Sequence, residues 1–119
     1  TATASHPTVE NYDHQSIVAA LDVTAVSGTS PTLDVTMRVV TPLGATETLS
    51  SRVGTDVAFL AVTGISIQRI YMHPAYAGEV ATGANRQFPQ LLPKSYLWRS
   101  VIGGTTPSFT YSISALKQR

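Results

Sequence analysis

SGTSPTLDVTM, from Ser27 to Met37, and GGTTPSFTYSI, from Gly103 to Ile113, are two versions of one phrase. Each passes from Gly-Thr through Ser or Thr to Pro and then alternates, with Leu33, Val35 and Met37 in the first and Phe109, Tyr111 and Ile113 in the second. Apolar residues at every second position, rich in β-branched and aromatic types, describe strands with one buried face. Upstream of the first phrase Ile17, Ala19, Leu21, Val23 and Ala25 keep the same period. The Gly and Pro between two alternating runs read as a turn. The expectation is therefore two β-hairpins, Gln15 to Val26 with Thr32 to Val40, and Tyr96 to Ile102 with Ser108 to Ala115. Pro31 opens an arm and should hold Ser30 extended. In the first hairpin, facing residues whose numbers sum to 58 rather than 56 keep Asp22 from lying opposite Asp34, since like charges across a ladder repel.

Outward from these phrases the signals weaken. Residues 1 to 14, TATASHPTVENYDH, have no period, and Pro7 interrupts them, so they read as an extended N-terminal arm. Between Thr41 and Ile70, Pro42 and Gly44 mark a turn, and short β-like pieces lie near Glu47 to Val53, Val57 to Val62 and Ile65 to Ile70. In the last piece the apolar positions slip from Ile65 and Ile67 to Ile70, which predicts a bulge. Tyr71 to Pro93 carries three prolines and two glycines without a sustained period, and reads as a long loop. Its Tyr71, Tyr76, Phe88, Leu91 and Leu92 are too apolar for a free linker, so it should lie against its own domain or a neighbour. No segment of helical length shows a 3.6-residue period. The fold expected is all-β: an antiparallel β-sandwich of jelly-roll or immunoglobulin-like kind over residues 15–119, with the arm at 1–14 and the loop at 71–93.

The 119 residues suit one domain, and no apolar run nears the roughly 20 residues of a membrane-spanning helix. Charged residues are 13%, about half the usual share, so the surface depends on Ser and Thr for its polarity. Eight Lys plus Arg, scattered singly against seven acids, make no basic stripe for phosphates, which argues against nucleic acid as a partner. With no cysteine there is no disulfide framework and no thiolate metal site. TATASHPT lacks the basic start and apolar stretch of a secretory signal.

Chemistry finds little to stand on. His6, His14 and His73 match no metal-binding spacing, the carboxylates are dispersed, and SGTSP is neither a nucleophile elbow nor a phosphate-cradling loop. The expectation is a protein without cofactor, metal or enzymatic activity. Trp98 and Arg99 form a possible anchor for a partner, although the simpler reading puts Trp98 in the core and the Arg99 head in solvent. Val9 and Tyr12 in the arm, with Tyr76, Phe88, Leu91 and Leu92 in the loop, are the expected contact residues.

LDVTAVSGTSPTLDVT, Leu21 to Thr36, and RSVIGGTTPSFTYSI, Arg99 to Ile113, resemble the opening and closing patterns of a group of small tailed-phage virion proteins, with FLAVTG, Phe59 to Gly64, similar to a middle strand of that group. Tyr111, where the group often has Phe, and the apolar stretch from Tyr71 to Pro93 depart from it. The resemblance implies a capsid decoration, or cement, protein on the surface of the virion head, assembled in the bacterial host cytoplasm. Its partners would be the major capsid protein and further copies of itself in a homotrimer. A minor tail or baseplate protein is the first alternative, and a carbohydrate-binding module the second.

Overall fold

The computed structural model describes residues 2–6, 8–10, 15–40, 46–49, 57–59, 61–76, 78–82, 85–90 and 92–118. The architecture is all-β. Eight strands, β1 (Ala2–Ser5), β2 (Val9–Glu10), β3 (Ser16–Val40), β4 (Thr46–Thr48), β5 (Ser66–Met72), β6 (Val80–Thr82), β7 (Asn85–Phe88) and β8 (Ser95–Gln118), join in one mixed sheet. Its order is β1, β8, β3, β5, β7, β6, with β2 also on β8 and β4 also on β3. Among the described strands only the β5–β7 pair is parallel; the other pairs are antiparallel.

The two hairpins are not formed. Both arms of each expected hairpin run on into a single strand, β3 and β8, and these two pair with each other from Ser16 opposite Gln118 to Val39 opposite Tyr96. The repeated phrases are the middle of this ribbon. Gly28 and Gly104 have φ of 108° and 118°, and Ser30 and Thr106 have φ of 48° and 45°. These counterparts, and Pro31 with Pro107, share one offset in residue number, 76 (104 − 28). The same offset exchanges rungs of the ladder. Thr29 opposite Thr105 maps onto itself, Ser27 opposite Ser108 maps onto Thr32 opposite Gly103, and Val26 opposite Phe109 maps onto Leu33 opposite Ile102. The crossing thus has a local twofold axis through Thr29 and Thr105. The twofold breaks beyond Ala25, where Thr24 is an extra residue in β3.

The glycines explain why a turn-like phrase serves as a crossing. A Cβ on Gly28 would stand 2.7 Å from the Thr106 carbonyl oxygen, and one on Gly104 would stand 2.8 Å from that of Ser30. Each glycine lets the opposite backbone approach, and its positive φ is one that side-chain-bearing residues rarely adopt. Ser30 is accordingly left-handed rather than extended: the paired crossing overrides the bias that Pro31 imposes. Neither the 58 register nor the 56 register occurs, because Asp22 faces Ser112 and Asp34 faces Val101.

Strand β8 bends back sharply here. The Tyr111 hydroxyl donates to Ser100 Oγ at 2.7 Å although the two are 11 residues apart in one strand, a separation of roughly 37 Å if the strand were straight. The two halves of the ribbon therefore share one core. Ile17, Leu21 and Val23 from the first half of β3 join Ile70 and Met72 of β5; Leu33, Val35 and Met37 from its second half join Trp98 and Tyr96 of β8, with Val57, Phe59 and Val62 closing over them. The rings of Phe59 and Trp98 lie 5.3 Å apart. Burying each such side chain is worth about 1.5–3 kcal/mol.

β5 has no bulge: its ladder with β3 is regular, so Ile67 faces solvent at 48% exposure and Gln68 turns inward opposite Leu21. The arm contributes β1 and β2, held by backbone pairing to β8, by Ser95 Oγ donating to Glu10 Oε2 at 2.6 Å and by Lys117 Nζ donating to the Glu10 carbonyl at 3.4 Å. The region read as a long loop contains β6 and β7, which prolong the sheet beyond β5. The strand expected at 47–53 is represented by β4; residues 50–56 lie outside the described set.

Candidate interaction surface

The expected contact residues scatter. Phe88 is fully buried in the chain's own core and Leu92 nearly so, with the Leu92 N–H donating to the Gln15 carbonyl. Both are corrected from contact to core residues: Phe88 ends β7, which lies beside β5 in the sheet, and Leu92 is tied back to the residue before β3, so both side chains join the core cluster. The Arg86 guanidinium lies 4.7 Å from the centre of the Phe88 ring and donates to the Ala58 carbonyl, fastening β7 to the segment over the core. Tyr76 is half-buried beside His73, whose Nδ1 accepts the Ala75 N–H. Val9 is half-buried against the core cluster. Tyr12 and Leu91, with His14, lie outside the described residues.

Two features not foreseen in the sequence emerge from the register. The first is a largely apolar row, interrupted by Gln87, across the outer face of the sheet. Leu116 pairs with Val18, Val18 with Tyr71, Tyr71 with Gln87, and Gln87 with Val80. Directly opposed residues share a face, so these five side chains form a line. Leu116 and Val80 are 61% and 49% exposed. A hollow of about 140 Å³ opens where Tyr71, Val80, Asn85, Arg86 and Gln87 meet. Ala20 and Ile67 widen the apolar area, and Asp22 and Arg69 supply its charges among the ladder positions of β3, β5 and β8.

The second is a cleft of about 530 Å³ at the open side of the fold, walled by His6, Val9, Tyr96 and Trp98 on one side and by Tyr111, Ile113, Ala115 and Lys117 on the other. His6 Nε2 lies 3.2 Å from the Tyr111 hydroxyl, with the rings edge to face. Burial raises the Tyr96 phenol above its ordinary value of 10.0, so it stays neutral. Trp98 is core and not a protruding anchor, being 5% exposed, and Arg99 beside it pairs with Thr36 and Ser5 in the sheet.

Among the described residues no three of His, Cys, Asp and Glu are grouped so as to hold a metal ion. No helix among them is long and apolar enough to cross a membrane. The fold and surface define an all-β domain built on a self-paired ribbon, with an apolar outer face and an aromatic-lined cleft. No protein-family model, no curated protein and no solved structure matches this chain.

Proposed function

We propose that this chain is a structural protein of a tailed-phage virion, a decoration protein that lies across neighbouring major capsid subunits and strengthens the head. The observation that carries the reading is the row Leu116, Val18, Tyr71, Gln87 and Val80: a sheet face poor in charge, on a chain with only 13% charged residues. Exposed apolar patches bordered by polar residues mark interaction sites. The paired strand phrases that resemble virion proteins point to the shell as the partner.

Such a protein acts by burial. About 800 Å² per partner suffices for a specific interface, and repetition over a shell multiplies modest affinities. Rupture of the head must then also separate the protein from the subunits it bridges. The cleft aromatics do not favour a carbohydrate-binding module, because Tyr96 and Trp98 are buried and present no flat exposed platform.

The test uses shells lacking the protein, incubated with wild type or with a Leu116→Lys, Val80→Lys double variant. Wild type is expected at hundreds of copies per head and should raise the temperature of shell rupture. The variant should keep its fold and lose occupancy. Equal occupancy by both refutes the outer face as the contact, and a handful of copies at one vertex or on the tail refutes decoration in favour of a tail protein.

A further inference from the structure

Among the described residues, the local twofold leaves one strand position unfilled. Along the second half of β3 the edge away from β8 is occupied: Leu33 exchanges backbone hydrogen bonds with Val62, the Val35 carbonyl accepts from Phe59, and Met37 donates to Val57 and accepts from Leu49. β4 continues this edge beside Arg38, Val39 and Val40. The offset of 76 carries Leu33 onto Phe109, and because the extra residue that follows lies in β3 and not in β8, the alternation of β8 continues and puts Tyr111 and Ile113 on the same edge as Phe109. The backbone N–H and C=O groups of these three residues therefore point away from β3, and no described strand pairs with them. On the other half of β8 the outer edge is covered by β1 and β2.

An unpaired edge of this length is ordinarily guarded by charge, proline or a bulge. Ser108 to Leu116, SFTYSISAL, has neither charge nor proline, and its one register irregularity is an extra residue on the β3 side. Nine residues at about 3.4 Å each make an edge of roughly 30 Å, against a longest molecular dimension of 40 Å. The edge also borders the cleft, whose Tyr111, Ile113 and Ala115 stand on it.

We infer that this edge pairs with the same edge of a second copy, β8 against β8 and antiparallel, around a molecular twofold axis. The occupant follows from the geometry of the vacancy. The segments beside β3 that fill the equivalent position are antiparallel to it, and two identical edges related by a twofold meet antiparallel. Odd-numbered residues then face odd-numbered residues, and the partner's Ile113 and Ala115 side chains close the mouths of both clefts. The pairing is independent of whether the protein acts on a phage head, because it concerns the chain alone.

The test is the mass of the purified full-length chain by sedimentation velocity over a range of concentrations, with amide hydrogen exchange at the same concentrations. A two-chain species that dissociates on dilution is expected. The amides of Phe109, Tyr111 and Ile113 should gain protection with dimer formation, while those of Thr110, Ser112 and Ser114, bonded to β3, should be protected throughout. Ser112→Lys with Ser114→Lys, both exposed positions, puts like charges across the twofold. It should yield monomer where wild type is dimeric, whereas Ile67→Lys on the outer face should not. Wild type that stays monomeric or forms three-chain rings overturns the pairing. So does a dimer whose Phe109, Tyr111 and Ile113 amides exchange as in the monomer, a result that stands even if the lysine variant fails to fold. A dimer that does not decorate shells would sink the virion reading and leave this one standing.

Discussion

Replacing Gly28 by Ala tests the crossing at its tightest point. The new Cβ would lie 2.7 Å from the Thr106 carbonyl oxygen and 2.9 Å from both Pro107 Cα and the Thr105 carbonyl oxygen, all of them backbone atoms that no rotamer change can move. Holding alanine at a φ of 108° costs about 1–3 kcal/mol. Forcing the facing strand outward by a few tenths of an ångström adds about 1–3 kcal/mol, as overpacking does. The sum, about 2–6 kcal/mol, is a large part of the 5–15 kcal/mol that ordinarily separates folded from unfolded chains. Gly104→Ala should cost the same within about 1 kcal/mol, because its contacts at 2.8, 3.0 and 3.0 Å repeat those of Gly28 through the local twofold. The double variant should lose less than the sum, since one opened crossing already accommodates much of the second Cβ. Gly64→Ala, with no atom within 4 Å, should stay within about 0.5 kcal/mol of wild type. Urea unfolding followed by Trp98 fluorescence measures all four. A loss below about 1 kcal/mol for Gly28→Ala, or a loss confined to one glycine of the pair, refutes the reciprocal crossing.

Two further outcomes probe the cleft side of the core. Tyr111→Phe removes the hydroxyl that donates to Ser100 Oγ and lies against His6; Ser100 is 1% exposed. Thermal unfolding should report a loss of about 1–3 kcal/mol, shrinking when Ser100 is also made Ala, and equal losses in both backgrounds would contradict the bond. Tyr96 has its pKa raised above 10.0 by burial, so its neutral form is favoured by folding. Its contribution is complete below the unfolded value and is lost as pH rises through the higher folded value. Stability measured in urea from pH of about 9 to about 11 should therefore fall more steeply in wild type than in Tyr96→Phe; parallel curves would refute the assignment.

The strands that alternate most cleanly were legible in the sequence. Ile17 to Val23, Leu33 to Met37 and the inward positions of β8 lie where their period places them. Their partners were not. A Gly-Pro phrase between two alternating runs satisfies a hairpin turn and a crossing equally well, and only the distant second copy of the phrase, packed against the first, decides between them. The sign available in the sequence was the offset itself: two hairpins have no need to agree residue for residue through Gly, Thr and Pro, whereas two chains packing against each other about an axis do. β6 and β7 escaped notice because they are short, and Phe88 and Leu92 read as contact residues because they are apolar within a stretch that has three prolines and no sustained period. The outer row and the cleft gave no local signal, since each gathers residues from several strands.

The ribbon also governs how the chain can reach its native state. Every rung between β3 and β8 spans a long stretch of sequence; even the nearest, Val39 with Tyr96, bridges almost half the molecule. Topologies dominated by such distant pairings form slowly, because the loop entropy is lost before contacts compensate for it. Until Ser95 to Gln118 has been synthesised, β3 lacks one neighbour along its whole length and β1 and β2 have none. The nascent polypeptide must therefore carry an alternating, sparsely charged strand without this neighbour until β8 has been made. The centre of the framework thus comes together only when two segments more than fifty residues apart in the chain are both present.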